Sequence, residues 1–211
     1  MKKIEIIPAI NADNFAEVKR QLELVRPHAS LAHIDIADGT FTPNALWHDP
    51  KDLLGFEASV KLELHLMLSD IDTRIDDWVL PNVSRIVFHL EAAHDPQFVL
   101  SRIKSAGLEA GLGVCIGTPW EKTKPFWGAS DTILFLAVNP GKAGQVMDSG
   151  TVEKTSGLHG ACPKCRIAVD GGVNKDNAKN LKEAGASILT AASAIFGADD
   201  IKKAIDELKN V

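Results

Sequence analysis

His33 and Asp35 stand two residues apart in the run Leu31-Ala-His-Ile-Asp-Ile36. Strand side chains alternate with period two, so the pair shares one face while Ala32, Ile34 and Ile36 take the other. The run breaks at Asp38-Gly39, a turn signal, and Pro43 stops the sheet. An imidazole and a carboxylate therefore meet at the C-terminal end of a strand, where enzymes built on parallel sheets keep their chemistry. A solvated edge strand would show the same alternation, so the question is whether the chain repeats it.

It does. A third strand ends in Glu63-Leu-His65-Leu-Met67, a fourth in Phe88-His89-Leu-Glu91, and a seventh in Ala168-Val-Asp170-Gly-Gly172. Any one of these histidines alone reads equally well as a hydrogen-bonded core residue. Together, His33, Asp35, His65 and Asp170 form a set of two imidazoles and two carboxylates. That set suits a divalent cation such as zinc, manganese or iron. Asp35 and Asp170 are also suited to act as an acid/base pair.

A second constellation suits a phosphate. Gly141 and Gly144 follow the sixth strand, Gly171 and Gly172 the seventh, and Ala192 and Ser193 the eighth. Glycines let backbone N–H groups approach an anion, and Ala192 to Phe196 reads as the short extra helix that often binds phosphate in barrels.

The elements that must position these groups alternate along the chain. Strands are expected at about 3–8, 31–36, 59–66, 83–90, 110–116, 132–139, 166–170 and 188–191. Helices are expected from Asn14 to Pro27, near 50–54, over 70–80, from Asp95 to Gly107, over 121–127, over 149–158, from Asn174 to Gly185 and over 201–208. Asn14 and Asn174 are N-cap residues, and Gly107 and Gly185 are stops. Eight strands alternating with helices predict a parallel sheet, and eight closes a (β/α)8 TIM barrel in preference to a doubly wound open sheet. No linker or charge block divides the chain, so residues 1–211 are expected to form one domain.

Composition narrows the function. The chain has 211 residues, 45% hydrophobic and 24% charged, with a net charge of −5. It lacks the basic surplus of a nucleic-acid binder. The charged N-terminus with its short apolar run is neither a signal peptide nor a membrane span, and three cysteines argue against a secreted disulfide framework. A cytoplasmic protein is expected. Cys162-Pro-Lys-Cys165 has no second metal-binding pair, so these are expected to be surface or loop cysteines. The four tryptophans, Trp47, Trp78, Trp120 and Trp127, are expected in the core; a homo-oligomer is left open.

These motifs resemble those of the ribulose-phosphate 3-epimerase family over nearly the whole chain. The resemblance rests on Pro8 to Phe15, His33 to Asn44, His65-Leu-Met67, His89-Leu-Glu91, Thr118-Pro119, Val138 to Gly141, Val169 to Gly172 and Ser193 to Phe196, all in the family's order. It implies a metal held by His33, Asp35, His65 and Asp170. It further implies that Asp35 and Asp170 exchange protons at carbon 3 of a ketose phosphate from opposite faces, with the phosphate held by the glycine loops and His65 in the substrate pocket. The family's usual serine is replaced by Ala9 and its asparagine by Cys115. Ala37 and Leu136 stand where it has methionines, Lys142 and Ala143 alter its phosphate loop, and Ala192 replaces a glycine. These changes reshape the pocket wall without removing a metal ligand or a base. The default substrate pair is D-ribulose 5-phosphate and D-xylulose 5-phosphate. The alternatives are a six-carbon ketose phosphate such as allulose 6-phosphate, an aldolase or decarboxylase on the same barrel, and a non-catalytic sugar-phosphate binder.

Overall fold

The computed structural model describes residues 4–140 and 144–211. Eight parallel strands close in sequence order into a barrel: β1 Glu5–Ile10, β2 Leu31–Ala37, β3 Lys61–Met67, β4 Val83–His89, β5 Glu109–Val114, β6 Thr132–Leu136, β7 Ile167–Asp170 and β8 Ile188–Ala191. Closure pairs β1 with β8, Glu5 to Pro8 against Ile188 to Ala191. Every strand therefore has two neighbours, and the solvated edge that β2 might have been does not exist.

The period-two pattern sorts side chains between two cores. Ile34, Ile36, Leu62, Leu64 and Leu66 point outward and pack under the helices. Ile7, Leu31, Val87, Leu134, Leu136, Ala168 and Ile188 fill the barrel's inside. Each such leucine, isoleucine or valine stabilises the fold by about 1.5–3 kcal/mol on burial. The inside is crowded: a methyl group on Gly111 would come within 2.7 Å of Val87 Cγ2, so β5 needs a glycine there.

The outer layer holds α1 Phe15–Val25, α2 Ile75–Trp78, α3 Pro96–Ser105, α4 Thr151–Ala161, α5 Lys175–Glu183, α6 Ser193–Phe196 and α7 Ile201–Lys209. Asn14 caps α1 by accepting from the Glu17 N–H at 3.0 Å, and Asn174 with Asn177 forms a full capping box at α5.

Three expected helices are weaker than their apolar spacing suggested. The helix expected over 70–80 splits into a 3-10 turn, Ile71–Thr73, and the single turn of α2, after Asp70 adopts a left-handed φ of 53°. Trp120–Phe126 is 3-10 and contains Pro125, which offers no N–H to an α-helical ladder. Pro50–Leu53 is also 3-10. The sixth strand stops at Leu136, before the expected 139.

Cys162 departs from expectation more sharply. It is buried at the C-terminus of α4 and forms a disulfide with Cys165. Trp47 and Trp78 are buried, whereas Trp120 and Trp127 are half-buried and stack at 6.3 Å between ring centres. Among the described residues no helix is long and apolar enough to cross a membrane.

Candidate active site

β2, β3 and β7 deliver the four expected residues to the C-terminal mouth of the barrel. His33 and Asp35 come from β2, His65 from β3 and Asp170 from the last position of β7. Register explains their height: Asp35 is level with His65 across the β2–β3 ladder, and Asp170 is level with Leu136 and Thr190. All four are buried, and one nitrogen or oxygen from each lies within 4.8 Å of the others.

The contacts are specific. Asp35 Oδ1 lies 3.1 Å from His33 Nε2 and 2.9 Å from His65 Nδ1. Asp170 Oδ2 faces the same two nitrogens at 3.8 and 3.6 Å. Asn11 donates its amide to Asp35 Oδ2 at 3.2 Å. The far nitrogen of each imidazole is also held. His33 Nδ1 meets Glu63 Oε1 at 2.6 Å, and His65 Nε2 meets His89 Nε2 at 2.9 Å.

Charge is concentrated here. Burial would raise Asp35, but its two imidazole partners outweigh it and hold its pKa well below the usual carboxylate range. Asp170 is pushed up, first by burial and further by the neighbouring carboxylates Asp35 and Glu63, against the pull of His33. Burial opposes protonation of His33, yet Asp35 and Glu63 together raise its pKa well above normal. His65 is lowered, by burial and by its neighbour His33.

This donor set fits a divalent cation. Two imidazole nitrogens and two carboxylate oxygens converge, and among the described residues no lysine or arginine pairs with either aspartate. Glu63 holds His33 as carboxylates usually hold metal-ligating histidines, and His89 takes the far nitrogen of His65. Nothing in the donor set selects zinc over manganese or iron.

The expected anion loops come to the same cleft. Asp35, Asp170, Gly144, Gly171, Gly172, Ala192 and Ser193 all line it, beside Ala9, Asn11, Met67, Leu136 and Thr190. Gly171 and Gly172 have φ of 102° and 68°, and a side chain on Gly172 would strike Met147 N at 2.5 Å. Gly141, Lys142 and Ala143 lie outside the described residues. Thr190 is buried, and its hydroxyl has no hydrogen-bond partner among the described residues.

Some residues of the opening motif serve structure instead. Asp38 turns away from the cleft and pairs with Arg74 at 2.7 Å while accepting from Thr40. Ala37 is fully buried against Leu46, Met67 and Phe41. Sequence reasoning placed His89 and Glu91 at a strand end, left them out of the four-residue cluster and gave them no role of their own. It quoted Glu63 and Asn11 within its motifs but gave neither a role. The signal for Glu63 was present, since it alternates with His65 and so faces inward.

A closed eight-stranded barrel with its acids and imidazoles gathered at the mouth defines an enzyme of the isomerase class, once its relatives are considered. The profile of the Ribulose-phosphate 3 epimerase family matches residues 5–196. The chain is 32% identical over 218 residues to the ribulose-phosphate 3-epimerase of Escherichia coli K12, covering 100% of this chain and 96% of that one. It is 33% identical over 214 residues to the chloroplastic ribulose-5-phosphate-3-epimerase of Arabidopsis thaliana, covering 98% and 76%. The chain belongs to the ribulose-phosphate 3-epimerase family. Among solved structures, 3-hexulose-6-phosphate synthase from Salmonella typhimurium superposes with a TM-score of 0.75 at 14% identity, covering 98% of this chain and 97% of that one. The 3-keto-L-gulonate-6-phosphate decarboxylase of Vibrio cholerae gives 0.74 at 10%, covering 99% and 97%. At those identities the likeness speaks for the barrel alone.

Proposed function

We propose that this enzyme inverts carbon 3 of a ketose phosphate, interconverting D-ribulose 5-phosphate and D-xylulose 5-phosphate. The observation that carries the reading is the pairing of two buried carboxylates, Asp35 and Asp170, from strands on different sides of one cation-competent cluster. Inversion at a carbon needs one group that removes a proton and another that returns one from the opposite face.

One aspartate takes the carbon-3 proton, and the C–H electrons move into a C2–C3 double bond as the carbonyl oxygen gains charge. The other aspartate, protonated beforehand, delivers its proton to carbon 3 from the far face, and the carbonyl re-forms. Loaded with a divalent cation, the cluster of His33, Asp35, His65 and Asp170 supplies positive charge beside the developing oxyanion. His65, expected in the substrate pocket, is fully buried and does not line the cleft, so its part is in the cluster. Gly144, Gly171, Gly172, Ala192 and Ser193, together with Gly141, hold the phosphate, so that the carbon frame stays fixed between the two acids. The reaction needs neither nucleic acid nor membrane, and we assign it to the cytoplasm.

A six-carbon ketose phosphate is the second reading. Ala9 and Ala192 present only methyl groups to the cleft, and a small wall leaves room for a longer sugar. Decarboxylase chemistry is disfavoured because Asp35-Ile-Ala-Asp38 holds no lysine and Asp38 is tied to Arg74. The deciding experiment incubates the protein with D-ribulose 5-phosphate in D₂O, with and without a chelator, and repeats it with allulose 6-phosphate. Deuterium at carbon 3 of the pentose, lost on chelation, is expected. Exchange restricted to the hexose favours the second reading, and no exchange in either leaves only a binder.

A further inference from the structure

We propose that Glu91 and His89 form a relay that fixes the tautomer of His65, making them positioning residues for its metal-facing nitrogen. The proposal rests on the metal-dependent reading above. Its starting point is the contact between two imidazole nitrogens, His65 Nε2 and His89 Nε2, 2.9 Å apart. Such a bond needs one N–H and one bare lone pair, and a neutral imidazole has one of each.

The choice propagates. His65 Nδ1 faces Asp35 and Asp170, so it must keep its lone pair for a cation. Its hydrogen then sits on Nε2 and is donated to His89 Nε2. His89 must in turn carry its own hydrogen on Nδ1. That nitrogen faces Glu91 Oε2 and Cys115 Sγ, each at 3.5 Å. Only the Glu91 carboxylate is an anion there.

Glu91 is itself anchored. Its Oε1 accepts the Cys115 N–H at 2.9 Å and the Thr118 hydroxyl. The His89 ring is clamped between His65 and Phe41, with ring centres 5.0 and 4.9 Å away. Lys154 turns its ammonium to the Cys115 carbonyl at 2.8 Å.

His89, Glu91 and Cys115 are also close enough to suggest a second metal site. The same proton count rejects it when the first site is loaded. His89 would need lone pairs on both nitrogens, which no neutral imidazole has.

The test reads tautomers and metal affinity. Histidine-ring ¹⁵N spectra of the zinc-loaded protein should show hydrogen on His65 Nε2 and on His89 Nδ1. Zinc affinity, measured by competition with a chromophoric chelator, should fall about ten- to a hundredfold in Glu91→Leu and His89→Leu, neither of which leaves an acceptor in place. His89→Gln, whose carbonyl can accept from His65 Nε2, should return it to near the wild-type value. Hydrogen on His89 Nε2 in the loaded protein, or unchanged affinity in both disruptive variants, overturns the relay while leaving the metal reading intact. A wild-type protein that takes up no zinc, manganese or iron overturns the metal reading and the relay with it.

Discussion

Two layers of charged side chains mark the barrel, one at its C-terminal mouth and one toward the N-terminal ends of the strands, and they are built on opposite plans. The lower layer alternates in sign. Glu63 and Glu109 flank Arg85 at 2.5 and 2.7 Å, and Glu109 and Glu5 flank Arg166 at 3.4 and 3.1 Å. The upper layer has Asp35 and Asp170 with two imidazoles and, among the described residues, no lysine or arginine. Where the chain supplies its own cations, the layer is a structural floor. Where it withholds them, the layer is arranged to receive one. Glu63 belongs to both, binding Arg85 with one oxygen and His33 with the other.

The sharpest way to break the upper layer is to neutralise a carboxylate without changing its shape. Asp35→Asn and Asp170→Asn should each lower kcat by about 10²–10⁴-fold, the usual contribution of a proton-transfer group, or more. Circular dichroism should show the fold unchanged. Near-normal turnover in either variant would remove that aspartate from the chemistry.

The lower layer should fail differently. Arg85→Met leaves Glu63 buried without its guanidinium, a loss of about 3–5 kcal/mol by comparison with other broken buried pairs. Urea unfolding reads this directly, and Glu63→Gln in the same chain should recover part of it. Turnover per folded molecule should suffer far less than in the aspartate variants. A stable Arg85→Met enzyme would mean that the floor is not structural.

The smallest effect is a pH trend in the metal-free protein, and it sharpens the contrast. The raised pKa of His33 contributes stability that is full below the ordinary imidazole range and is lost as pH rises through its folded-state value. The raised pKa of Asp170 means that the unfolded chain gives up that proton more readily, so stability also falls as pH rises above the ordinary carboxylate range. The lowered pKa values of His65 and His89 oppose this only through the ordinary imidazole range, above which both are neutral folded or unfolded, so the metal-free protein should weaken from about pH 7 to 8. Metal affinity should strengthen over the same span, because the cation displaces a proton. Urea titrations with and without metal check this, and a metal-free protein that strengthens with rising pH would contradict it.

Much of the barrel was legible because alternation and caps are local. β2, β3 and β7 follow from period-two runs, and the four-residue cluster from their polar ends. The helix expected over 70–80 was not legible. Its apolar spacing is helical, but the left-handed Asp70 and the packing of Ile71, Ile75 and Trp78 on the barrel divide it. The cysteine pair was misjudged because its spacing alone cannot say that α4 ends with Cys162 turned into the core.

The sequence by itself determined which side chains face the inside of the barrel and which strand ends carry acids and imidazoles, because side-chain alternation is a property of the extended backbone. It singled out His33 and His65 but gave His89 no partner. Only closure of the barrel, which sets register between strands distant in the chain, placed His33 and His65 against Asp35 and Asp170. The same register placed His89 one step back, against His65 and Glu91, and paired the floor's glutamates with Arg85 and Arg166. Distances across a closed sheet depend on every strand at once, and no single stretch of the chain encodes them.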